Sequence, residues 1–133
     1  MILSEYDFRR LKGILERLRE SSRAEHRLLS VLEAKLAAAA VVPPEYLPED
    51  AVSLNSKLRF KDLRSRKQQV CTLVFPAEAD MSRGKVSVLS PLGIALIGAK
   101  AGEVVDCQAP LGLLRLRVEE VLFQPEAAGY FFV

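Results

Sequence analysis

The chain has 133 residues, half of them apolar and 27% charged, with nineteen basic and seventeen acidic side chains. That length holds one domain with an appendage, or two very small units. A net charge of only +2 gives little bulk attraction to phosphate polymers or anionic membranes, which excludes wholesale coating of nucleic acid.

The opening MILSEYDFRR lacks the basic start and apolar core of a secretory signal, and no stretch approaches the roughly 18 uninterrupted apolar residues of a membrane span. A cytoplasmic protein without membrane contact is expected. Cys71 and Cys107 stand alone, with no CxxC pair and no neighbouring His, since the one histidine is His26. Two buried, reduced thiols are expected, and neither a metal site nor a cofactor.

From residue 4 to residue 20, Phe8, Leu11, Leu15 and Leu18 recur at spacings of three and four, with Ile14 widening the stripe. This predicts an amphipathic helix, capped by the Ser4 hydroxyl, with Asp7 three residues on as a capping-box partner. Gly13 in its middle costs about 1 kcal/mol relative to Ala, and a close crossing of another backbone is the expected compensation. The pattern breaks at Ser21-Ser22 and restarts at once. Ser22 and Glu25 form a second capping box, followed by Leu28, Leu29, Leu32, Leu36 and alanines up to Ala40. Two helices joined by so short a turn make an antiparallel coiled-coil hairpin about 25 Å long. It buries too little to be rigid alone and is expected to brace against the remainder of the chain.

Residues 43–52 carry Pro43, Pro44 and Pro48 and read as a semi-stiff linker holding the domain boundary. The expected division is a hairpin at 1–42, a linker at 43–52 and a second unit at 53–133. Beyond Val52 the apolar period changes from 3.6 to 2. Strands are predicted at 57–61, 70–75, 86–89, 104–108 and 114–123, with a short helix at 92–97 stopped by Gly98. The whole is an α+β chain whose second unit is an antiparallel sheet with one short helix. Lys57, Arg59, Lys61 and Arg64 form a basic ribbon that continues into Arg66 and Lys67. It is a candidate contact for nucleic acid or an acidic protein surface, with a solvated edge strand as the plainer alternative. The apolar tail, residues 130–133, has three alternatives: packing on the linker, joining a sheet edge, or contacting a second copy.

The segment GKVSVLSPLGIALIGAKAGEVVDCQAP, preceded by PAEAD, resembles the carboxy-terminal domain of the Gre transcript-cleavage factors, whose fold is FKBP-like. Within that family, the linker PPEYLPEDAVSLNSKLRFKDL and the FQPEAAG near the end look like the Rnk branch, the regulators of nucleoside diphosphate kinase. The likeness covers residues 42–129 well and the helices only in layout. It implies binding to bacterial RNA polymerase beside the secondary channel, with the sheet domain gripping the rim helices of the largest subunit and the hairpin pointing inward. Nucleic acid would be reached only through the polymerase, by a monomer. Ser90, Pro91, Leu92 and Gly93 match the turn that faces the polymerase. Ser90 and Pro91 also suit a helix start, as N-cap and first residue.

In the Gre factors, acids at the hairpin tip help hold a second catalytic magnesium ion. The tip here comprises Glu20, Ser21, Ser22, Arg23 and Glu25. Arg19, Arg23, His26 and Arg27 crowd both acids, and each acid also has a structural use. The hairpin is several turns shorter than the finger of the cleavage factors. The resemblance therefore implies a regulator that competes with them, with no catalytic residue and no metal. One departure is DLRSRKQQ, where the relatives commonly have a glycine-containing, more acidic turn. The alternative function is an adaptor acting on nucleoside diphosphate kinase or another metabolic partner. Prolyl isomerase activity is not expected: six Phe, three Tyr and no Trp, scattered or at strand ends, make no aromatic-walled pocket.

Overall fold

The structure, a computed structural model, describes residues 1–21 and 26–133. A short strand, β1 (Ile2–Ser4), leads directly into α1 (Glu5–Arg19). Ser4 caps the helix as expected, its Oγ accepting from the Asp7 N–H at 3.1 Å. Asp7 does not close the box. Its carboxylate is buried and accepts instead from Arg10 at 2.6 Å and from the Leu54 N–H at 3.0 Å. A buried loop amide requires an acceptor, and Asp7 supplies it from 47 positions away.

The second helix, α2 (His26–Ala37), ends three residues before the predicted Ala40. Ala40 instead begins β2 (Ala40–Val42), which pairs in parallel with β1 in the register Ile2↔Ala40, Leu3↔Val41 and Ser4↔Val42. Two β-branched residues followed by Pro43 disfavour a further helical turn, and the chain start offers them a strand partner. The second capping box, Ser22 with Glu25, lies outside the described residues. Gly13 lacks its expected neighbour: nothing lies within 4 Å of where its Cβ would sit.

The remaining strands are β3 (Lys57–Asp62), β4 (Gln68–Val74), β5 (Lys85–Ser87), β6 (Val104–Ala109) and β7 (Gly112–Phe123), with α3 (Pro91–Leu96) between β5 and β6. They form one sheet in the order β5-β4-β3-β7-β6. All pairings are antiparallel except β4 with β5, which is parallel. Two 3-10 turns, Pro76–Glu78 and Met81–Arg83, carry the chain back before β5 begins. The α+β class holds, in a mixed rather than wholly antiparallel sheet. β3 is its central strand, so the edge-strand alternative for the basic ribbon fails.

Leu3, Leu11, Leu32, Val52, Leu58, Leu73, Leu96, Ile97, Leu116 and Val118 belong to one core drawn from both helices and the sheet. The hairpin is thus braced on the sheet unit. Residues 43–52 run as a packed strap. Ala51 and Val52 are fully buried, and Val52 exchanges backbone hydrogen bonds with Ala99 O and Gly98 N–H, both at 2.8 Å. Gly98, at φ +76, ends α3 and lies under the Met1 side chain, which fills the space a Cβ would take.

Candidate protein-docking surface

The turn into α3 is built by its own side chains. Ser90 Oγ accepts from the Gly93 N–H at 3.0 Å and donates to Ser87 O at 2.7 Å. Pro91 occupies the first helical position, where its missing amide has no partner to lose. Gly93 is buried, and a Cβ there would stand 2.1 Å from Ser87 O and 2.7 Å from Val88 Cα. The lack of a side chain at Gly93 lets α3 press on the backbone after β5, so its presence in the turn already has a packing reason. Of the four residues, Pro91 and Leu92 keep half-exposed side chains free of capping duty.

At the hairpin tip, Glu20 is exposed and forms the C-cap of α1. Ser21 donates its N–H to Leu18 O at 3.0 Å, and Ser22, Arg23 and Glu25 lie outside the described residues. Arg19 forms an ion pair with Glu33 of α2, and His26 is exposed. Among the described residues no group of three or more His, Cys, Asp or Glu is placed to hold a metal ion.

The basic ribbon is interrupted by acids from β7. Arg59 lies opposite Glu120 and bonds it at 2.7 Å. Lys61 lies opposite Arg117, which bonds Glu119 at 3.0 Å. Lys57 is exposed beside Phe123, and Arg64 is exposed in the β3–β4 turn. The four residues share one sheet region without forming an unbroken positive face. Cys71 and Cys107 are free and buried; burial pushes the Cys71 thiol up to about 11 and raises that of Cys107.

A buried polar cluster joins α1, the strap and the tail. Glu126 accepts from Ser53 Oγ at 2.6 Å, and Ser53 Oγ lies 2.8 Å from Ser56 Oγ. Gln124 Nε2 donates to Pro48 O and Ala51 O, both at 2.7 Å. The Arg10 guanidinium lies over Tyr6 at 3.9 Å and over Phe75 at 4.7 Å. Burial raises the Asp7 and Glu126 carboxyls above their ordinary range, partly offset at Asp7 by Arg10 and at Glu126 by the Ser53 hydrogen bond. Phe132 stacks edge-on against Tyr6, with ring centres 5.3 Å apart, which places this end of the tail against α1. Sequence reading missed this cluster because its members are scattered. Local spacing and motif mark only Asp7, as a cap partner, and the QPE of the tail.

A second tie starts from Lys35 in the last turn of α2. Its Nζ donates to Ile94 O, to Ala95 O at 3.2 Å and to Ile97 O at 3.5 Å. These are carbonyls at the C-terminal end of α3, which a six-residue helix leaves largely unpaired. Burial lowers the Lys35 amine to about 8, against an upward pull from Glu103.

Residues 47–123 match the family described as "Transcription elongation factor, GreA/GreB, C-term". The chain belongs to the GreA/GreB family. Its match to that family covers the strap from Leu47, the turn at Ser90 to Gly93 and the five strands of the large sheet, β3 to β7. Relatives extend the likeness to the helices. The "Regulator of nucleoside diphosphate kinase" of Escherichia coli K12 is 34% identical over 134 residues, covering 100% of this chain and 96% of that protein. "Transcription elongation factor GreA" of Thermodesulfovibrio yellowstonii is 37% identical over 93 residues, 70% of this chain but only 59% of that GreA. A solved structure described as "Prokaryotic transcription elongation factor GreA/GreB from Nitrosomonas europaea" superposes with a TM-score of 0.73. It is 36% identical and covers 92% of this chain and 98% of its own.

Proposed function

We propose that this chain is a non-enzymatic transcription regulator of the Rnk/Gre type, a cytoplasmic monomer that binds bacterial RNA polymerase beside its secondary channel. Its C-terminal domain grips the rim helices of the largest subunit through Pro91 and Leu92, and it competes there with cleavage factors of its own family. The observation that carries this reading is the reach of the hairpin. α1 has 15 residues and α2 has 12, so at 1.5 Å per residue the hairpin extends only about 20 Å. A tip so short, on a domain seated at the rim, ends before the catalytic centre, and occupancy becomes its means of action.

Added to backtracked polymerase together with a cleavage factor, the protein should slow transcript shortening in proportion to its concentration. Alone it should shorten nothing. Leu92→Asp or Pro91→Ala should relieve the competition while leaving the thermal melt cooperative. Unaided trimming of RNA that depends on Glu20 and Glu25 would refute the proposal.

A second reading is favoured by one observation: the E. coli relative that spans the whole chain is named for nucleoside diphosphate kinase. In this reading the chain is an adaptor for that enzyme. A pull-down from bacterial extract separates the two, because recovery of polymerase subunits supports the first, whereas recovery of the kinase without them supports the second.

A further inference from the structure

Two adjoining cavities, of about 240 and 410 Å³, lie between α2, the start of α3 and the β6–β7 hairpin. Leu28, Val31, Pro91 and Gln108 line both. They are therefore one groove, with the helical hairpin as one wall and the sheet unit as the other. Apolar surface continues onto its lip, where Val31 is 36% and Leu113 54% exposed, and Leu111 at the tip of the β6–β7 turn is wholly exposed. A tight turn calls for Gly, Asn or Asp, so nothing in the local backbone requires a leucine there. Exposed apolar side chains gathered on one edge mark a surface that a partner covers.

The charges around the groove are mostly committed. Lys35 is held by the α3 carbonyls, and Asp106 faces Arg115 at 3.6 Å. Arg27 lines the larger cavity, is exposed, and has no ion-pair partner among the described residues. The end of the groove that it occupies is open to a carboxylate.

We propose that the helical hairpin is itself half of the docking surface: the groove between α2 and the β6–β7 hairpin takes an amphipathic α-helix of the polymerase. Apolar side chains on one face of that helix fill the two cavities, and an acidic residue on it meets Arg27. This rests on the polymerase reading above and adds α2 and the β6–β7 turn to the residues flanking Pro91. Lys35, which lines the smaller cavity, ties α2 to the end of α3.

The test is equilibrium binding of full-length variants to core RNA polymerase, with a thermal melt of each variant. Val31→Asp and Arg27→Glu on the hairpin wall, and Leu111→Asp on the sheet wall, should each weaken binding about tenfold or more. Val70→Asp, on an exposed β4 position outside the groove, should bind as the unaltered protein does. Arg27 and Leu111 are exposed, so both variants keep the test decisive even where Val31→Asp fails to fold. Unchanged affinity in the hairpin variants, alongside weakened binding by Leu92→Asp, would overturn the composite groove and leave the polymerase reading standing. No binding by the unaltered protein would overturn both.

Discussion

Ser53 and Glu126, 73 positions apart in sequence, meet in the interior through a 2.6 Å hydrogen bond from hydroxyl to carboxylate. Glu126 is held above its ordinary value of 4.5 by burial first, with the Asp7 charge adding to the rise. An acid with a raised folded-state pKa binds its proton more tightly in the folded chain. Its contribution to stability is therefore full below pH 4.5 and is lost as pH rises through the raised value. Glu126→Gln keeps an oxygen for Ser53 and removes the buried charge. It should raise the melting temperature at pH 7 and flatten the fall in stability from pH 4 to pH 7. Glu126→Ala, which leaves Ser53 without this acceptor, should instead cost about 1–3 kcal/mol. Thermal melts across that pH range check both.

Lys35 gives the opposite sign of pH dependence. Its amine is lowered from 10.5 to about 8 in the folded chain, so between those values the unfolded chain holds the extra proton. Stability from this group therefore rises with pH through that window. Urea unfolding at pH 7.5 and 9.5 should show the unaltered protein gaining on Lys35→Met as the solution becomes more alkaline. A constant difference between the two proteins would count against the buried environment of this amine.

Gly13→Ala should stabilise the protein by about 0.5–1 kcal/mol, because Ala is the better helix former and the site is open. The melting temperature should rise, with polymerase affinity unchanged.

Gly93→Ala should be among the most damaging single changes, costing about 3 kcal/mol or more, because the added methyl meets backbone rather than a side chain that can turn away. Chemical denaturation, or loss of soluble protein on expression, would show it. Leu92→Asp, one position earlier, should fold and fail in polymerase binding. The pair separates packing from recognition within one turn.

Features governed by neighbours in sequence were legible before the structure. The Ser4 and Ser90 caps, Pro91 at the start of α3, Gly98 at its end and the alternation through Leu58 and Phe60 all follow from one or two turns of local chemistry. The features that were missed depend on distant partners. Alanine favours helix, yet Ala40 is a strand residue because Met1 and Ile2 lie beside it. Asp7 has the spacing of a capping box, yet Leu54 claims its carboxylate. The charges of β3 suggested an edge, and only the pairing with β7 makes that strand central. At the candidate site, the motif marks the turn at Ser90 to Gly93 but does not distinguish Gly93, pressed into the interior, from Leu92 beside it. Nor did the apolar stripe of α2 reveal that Val31 would share a cavity wall with Pro91.

The anchorages made by Asp7 and Lys35 both sit at the base of the hairpin, one on each helix. The hairpin is thereby fixed at its root by one buried or half-buried charge on each helix. On the α2 side that root is bound to the carbonyl end of α3, the helix that Pro91 and Leu92 begin. The helices and the turn at Pro91 and Leu92 are therefore joined into one mechanical unit.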